Sequence, residues 1–112
     1  MYTLEIQVII DTTDRDLNPL DDTLVRQGVA LVGDYFNNAY GGCFITVGEG
    51  YWEGSFEKRY IVSTIHQVDS EDWVMAFDRR PLFDMVAEVR ELLNQSGVYT
   101  VIRHAPGMAV CI

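Results

Sequence analysis

Apolar and polar residues alternate from Thr3 to Ile10, with Leu4, Ile6, Val8 and Ile10 on one side and Glu5 and Gln7 between them. That period predicts a strand buried on one face. A polar connection, Asp11 to Leu20, follows and holds Asn18-Pro19, a turn signal. The period then changes. From Thr23 to about Asn37, Val25, Gly28, Val29, Val32 and Phe36 recur at three- and four-residue spacing, as on the inner stripe of a helix. Asp21 and Asp22 stand where a carboxylate accepts from the unpaired N–H groups of a first turn. Gly28 and Gly33 each weaken such a helix by up to about 1 kcal/mol relative to alanine. Because Gly28 lies on the stripe, close packing against a sheet is its expected role. Asn37, Asn38 and Gly41 supply stop signals.

Two strand-like runs come next, Cys43 to Val47 and Phe56 to Ile65. Between them, Gly48, Gly50 and Gly54 alternate with Tyr51 and Trp52, which predicts a hairpin turned by the glycine cluster. The aromatics at its end form a candidate contact surface, with Trp52 open to either a surface or a core position. In the second run, Phe56, Lys58, Tyr60, Val62 and Thr64 share one face. Glu57, Arg59, Ile61, Ser63 and Ile65 share the other. Neither face is purely polar, as expected of a sheet covered by helices on one side and partly covered on the other. Val68 to Arg80, with Trp73 and Phe77, fits a short helix or an extended segment equally. From Pro81, Leu82, Met85, Val86, Val89, Leu92 and Leu93 make a second helical stripe, ended by Ser96-Gly97. Val98 to Arg103 reads as a fourth strand, Ala105-Pro106-Gly107 as a turn, and Met108 to Ile112 as a short fifth strand. The order strand, helix, strand, strand, helix, strand predicts an α+β domain of the ferredoxin-like, split βαβ plan. Right-handed crossovers would set both helices on one face of an antiparallel sheet.

Composition narrows the function classes. The chain of 112 residues fits one domain, 1–112, and a chain this size buries roughly two-thirds of its unfolded surface. No apolar run reaches the roughly 18 residues of a membrane span, and no secretory signal precedes the first strand, so a soluble cytoplasmic protein is expected. Seventeen acidic against eight basic residues give a net charge of −9, which opposes direct nucleic-acid binding. The densest acidic group is Asp11, Asp14, Asp16, Asp21 and Asp22. It reads as a solvated loop and helix start, or more sharply as an acidic surface that mimics nucleic acid. Cys43 and Cys111 read as buried thiols that pair only if their strands are neighbours. Their spacing offers no zinc site, and no cofactor is expected.

Several chemistries have little support. The Gly48-x-Gly50 pair lacks the third glycine and the following helix of a dinucleotide loop. Ser63 and Thr64 stand mid-strand without a nucleophile elbow. His66 and His104, each at a strand end, would serve an enzyme only if they converged with a carboxylate. The best positive cluster is Arg79-Arg80-Pro81 at a helix start, which Lys58, Arg59 and Arg103 would join if the strands bring them near.

The residues Gly48, Gly50, Trp52, Gly54 and Glu57, within a stretch from about residue 4 to 66, resemble a group of small phage and bacterial proteins of unknown function. Those proteins share an N-terminal strand and helix, then a Gly-x-Gly-x-aromatic hairpin. The resemblance implies their fold and a phage context, and it carries no activity. The expected function is therefore a non-enzymatic accessory or inhibitory binding protein that engages a partner protein or an anionic small ligand. Its expected site residues are Tyr51, Trp52, Arg59, Arg79, Arg80 and Arg103. The alternatives are a small enzyme using His66 or His104, and a nucleic-acid mimic. A symmetric dimer is also expected, through Ile9, Ile45, Ile61, Tyr99 and Val101 on the sheet face opposite the helices.

Overall fold

The computed structural model describes residues 1–52, 54–69 and 78–107, with Trp52 described by its backbone alone. The expected alternatives for Ser70 to Phe77, the short fifth strand and the proximity of Cys43 to Cys111 lie outside the described residues.

β1 (Tyr2–Asp11) alternates buried and half-buried residues along its whole length, with Leu4, Ile6, Val8 and Ile10 sealed from solvent. It pairs antiparallel with β3 (Ser55–Val68) on one side and with β4 (Tyr99–Pro106) on the other. β2 (Phe44–Trp52) pairs antiparallel with β3, so the strand order is β2-β3-β1-β4. The fold is thus α+β, with a four-stranded antiparallel sheet and two helices among the described residues. Among the described residues no helix is long and apolar enough to cross a membrane.

α1 (Asp22–Tyr40) begins where Asp21 accepts a hydrogen bond from Thr23 N at 2.8 Å. It ends at Gly41, whose left-handed φ of 86° lets its N–H reach Asn37 O. Its buried stripe is Val25, Gly28, Val29, Val32 and Phe36, as the spacing predicted. α2 (Arg80–Leu92) buries Leu82, Met85 and Val89. Both stripes join Leu4, Ile6, Val8, Ile10 and Val62 in one core, so both helices cover the same sheet face. Gly28 packs differently from the expectation. A Cβ there would stand 3.1 Å from Leu93 Cδ1, so the glycine admits the end of α2 and not the sheet.

Three boundaries also differ. Of the three cluster glycines only Gly54 serves the turn: Gly48 and Gly50 are paired strand residues opposite Arg59 and Glu57. The strands continue until Trp52 faces Ser55, which leaves two residues to connect them, and Gly54 takes φ 81° there. α2 stops before Ser96-Gly97, because Asn94 adopts the left-handed conformation at φ 51°. β4 runs through Ala105 and Pro106, which face Thr3 and Tyr2, and the chain turns only at Gly107. Proline is tolerated there because β4 is an edge strand.

Candidate functional site

Directly opposed residues of an antiparallel pair share a face, so the registers assign the side of the sheet opposite the two helices. It carries Glu5, Gln7, Ile9 and Asp11 of β1, with Glu57, Arg59, Ile61, Ser63 and Ile65 of β3. β4 adds Tyr99, Val101 and Arg103, and β2 adds Phe44, Thr46, Gly48 and Gly50. Phe44, Ile65 and Tyr99 are exposed, whereas Ile9, Ile61 and Val101 are half-buried. Ile45 is not part of this face. It stands opposite Val62, on the helix side, and leaves the expected dimer patch for that reason.

Charge stands at both ends of the face, and the larger group is at the end of Asp11, Glu57 and Arg59. Arg59 lies across from Asp11, its Nε 2.6 Å from Asp11 Oδ1, while its Nη2 donates to Glu57 Oε2 at 3.0 Å. Burial raises the Asp11 carboxyl above its ordinary value, and the Arg59 charge beside it pulls the other way. A cleft of about 500 Å³ opens beside this row, walled by Asp11, Arg59, Tyr99, Val101 and the Ser96-Gly97 connection. Gln95 builds its floor. It is buried, and its Nε2 donates to the carbonyls of Asp11 and Thr13, both at 3.0 Å. A second hollow of about 190 Å³ lies across Arg59, over the strip where Gly48 and Gly50 carry no side chains.

The expected arginines do not converge. Arg103 shares the face with Arg59, but it pairs with Glu5 at 3.1 Å. Its partner is six positions from Asp11 along β1, roughly 20 Å at strand rise. Arg80 is at the start of α2, where it holds Asp78 with Nη2–Oδ2 at 2.9 Å and Nε–Oδ1 at 3.1 Å. That pairing lowers the exposed Asp78 carboxyl to about 2. Arg79 occupies the position before the helix without a side-chain cap. Tyr51 stands on the helix side of the hairpin end, exposed, its ring 5.6 Å from that of Phe56. The side chain of Trp52 lies outside the described residues.

The histidines are brought closer than the sequence required. His66 and His104 both stand opposite Leu4, one on each side of β1, so they share the helix face about 10 Å apart by strand spacing. The His66 ring lies 6.0 Å from that of Tyr40, tilted by 57°, and Tyr40 also meets Tyr35 and Phe36. Burial raises the Tyr40 hydroxyl well above its ordinary value, and Tyr35 adds to it. The dense acidic group is occupied structurally. Asp14 Oδ1 accepts from Asp16 N and Asn18 N, Asp21 caps α1, and Asp22 holds Arg26 at 2.7 Å. Among the described residues, no group of three His, Cys, Asp or Glu side chains is placed to hold a metal ion.

The cleft was missed in the sequence because its walls come from both ends of the chain. The alternation of β1 put Ile9 on the outer side, but Asp11 was expected in the connection after the strand and not as its last residue. No protein-family model matches the chain, and no curated protein does. Among solved structures, a likeness is found to "De novo designed protein Foldit4", at 12% identity over 96% of this chain and 98% of that one. Its TM-score of 0.38 is too low to carry an argument about fold or function.

Proposed function

We propose that the chain is a non-enzymatic binding protein, a ferredoxin-like domain whose open sheet face engages a partner protein. The order β2-β3-β1-β4, antiparallel throughout and with each helix crossing one intervening strand, supports the ferredoxin-like reading. The observation that carries the binding reading is the face opposite the helices, which among the described residues exposes Phe44, Ile65 and Tyr99 and half-buries Ile9, Ile61 and Val101. Exposed large apolar side chains on a face edged by charge suit a partner-binding surface. Arg59, Arg80 and Arg103 each already engage a carboxylate, which favours a protein partner over an anionic small ligand. The hairpin resemblance adds a phage context, within which an accessory or inhibitory role is our reading.

Native mass spectrometry of the chain taken from cells tests this. A retained polypeptide that is lost on Ile65→Asp and Tyr99→Asp, with unchanged circular dichroism, is the expected result. A retained small anion would support the ligand version instead. Turnover abolished by His66→Ala or His104→Ala would replace the reading with an enzyme.

A further inference from the structure

A sheet edge presents unpaired backbone N–H and C=O groups, and natural proteins guard such edges with charge, proline or a covering element. The two edges here differ. β4 carries Arg103, His104 and Pro106 within its eight residues. β2 has nine residues, Phe44–Trp52, with no lysine, arginine or proline and a single charge, Glu49. Among the described residues it is hydrogen-bonded to β3 alone. Its large side chains are exposed to an unusual degree for a strand: Phe44 55%, Ile45 53%, Val47 48% and Tyr51 79%. Ile45, Val47 and Tyr51 stand opposite Val62, Tyr60 and Phe56, on the helix side of the sheet, yet neither helix extends over them.

We propose that β2 docks against β2 of a second copy of this chain, the two strands pairing antiparallel about a two-fold axis at Gly48 and joining two sheets into one. The strand is complementary to itself in this register. An axis normal to the sheet keeps every residue on its own face, so only registers centred on a residue are allowed, and centring on Gly48 pairs all nine residues. Ile45 then meets Tyr51 of the second copy, a β-branched residue against an aromatic, which is a favourable cross-strand pair. Val47 meets Glu49 of the second copy, so the single charge never faces its like. Both helix layers remain on one side of the joined sheet. Ile45, Val47 and Tyr51 of the two copies therefore close the trough between them, and their exposure is accounted for. This contact uses the strand edge and not the open face, so it stands or falls independently of the partner-binding reading.

Sedimentation velocity across a concentration series, with circular dichroism as the folding check, tests the proposal through charge at Val47. Val47→Glu sets a carboxylate against Glu49 twice across the axis, and dimer affinity is expected to drop roughly tenfold or more. Val47→Lys sets an ammonium against the same group and is expected to retain the wild-type dimer or tighten it. Ile65→Lys, on the open face, is expected to leave it unchanged. In the wild-type chain, amide exchange should slow with rising concentration within residues 44–52, which needs no substitution. A monomer at every concentration overturns the proposal. So does an equal response to the two Val47 substitutions, loss of the dimer in Ile65→Lys, or concentration-dependent protection confined to other strands.

Discussion

Gly28 and Leu93 meet so closely that a single methyl group separates a neutral change from a costly one. Alanine at 28 gains up to about 1 kcal/mol of helix propensity. Its Cβ would stand 3.1 Å from Leu93 Cδ1, and Leu93 is fully buried, so relief requires the core to move. Overpacking of this kind costs about 1–3 kcal/mol, and the cost outweighs the gain. Gly28→Ala is expected to lose about 1 kcal/mol in urea denaturation, and a more stable variant would show that Leu93 has room. The sequence disclosed that Gly28 lay on a packed stripe. Its partner was hidden because Leu93 is 65 positions away and belongs to another helix end. At the surface, the Asp78–Arg80 pair makes a prediction about acid. The folded-state pKa of Asp78 is depressed from 3.8 to about 2, so whatever the pair contributes is present above 3.8 and is lost as pH falls toward 2. The Asp11 carboxyl, raised by burial, acts with the opposite sign, and its contribution is lost as pH rises through its folded-state value. A carboxyl titration followed by NMR should place the Asp78 midpoint near 2, returning toward 3.8 in Arg80→Ala. An unmoved midpoint would remove Arg80 as the cause.

The elements were legible wherever one period ran long enough to outweigh local signals. β1 and both helices were read from apolar spacing, and the Asp21 cap and the Gly41 stop from residue type. The β2–β3 hairpin was legible, with Gly54 in its connection, but β2 runs on to Trp52, past the expected end at Val47. Gly48 and Gly50 are two apart, lie on one face and are held by pairing with β3, so the turn falls at the two-residue connection beyond them. The extension of β4 was hidden by Pro106, which an edge strand accommodates. The cleft was not legible at all, because its floor joins residues 84 positions apart. That junction can be tested. Gln95 is buried, and its side-chain amide satisfies the carbonyls at the end of β1 and the start of the following loop. Gln95→Ala leaves both carbonyls without that donor, and buried unsatisfied groups cost about 1–3 kcal/mol. A loss of about 2 kcal/mol is expected, along with faster amide exchange in residues 11–15. Wild-type stability would mean that water replaces the amide without penalty. At the other end of the same connection, Asp21→Ala should cost about 1 kcal/mol through loss of the cap on α1.

For the whole molecule, the dominant electrostatic fact is excess charge and not pairing. Seventeen acids face eight cations, for a net −9. Arg26, Arg59, Arg80 and Arg103 are already engaged with Asp22, Asp11 and Glu57, Asp78 and Glu5. Added salt therefore has two opposed effects on the fold. It screens the ion pairs, and it screens the repulsion among the remaining carboxylates. The pairs at Arg26, Arg80 and Arg103 are largely exposed, and such pairs are worth about 0–1 kcal/mol each. The Arg59 row is only about one-third exposed and feels salt less than the surface does. Repulsion acts over the whole surface and falls steeply as the Debye length shrinks from about 30 Å at 0.01 M to about 10 Å at 0.1 M. Screening of repulsion should win, so sodium chloride raised over that range is expected to raise the thermal midpoint. The same repulsion opposes the approach of two copies at the β2 edge, and dimer affinity should rise over the same interval. A midpoint that falls as salt is added would show that the ion pairs, and the Arg59 row above all, hold more of the fold than the excess charge takes from it.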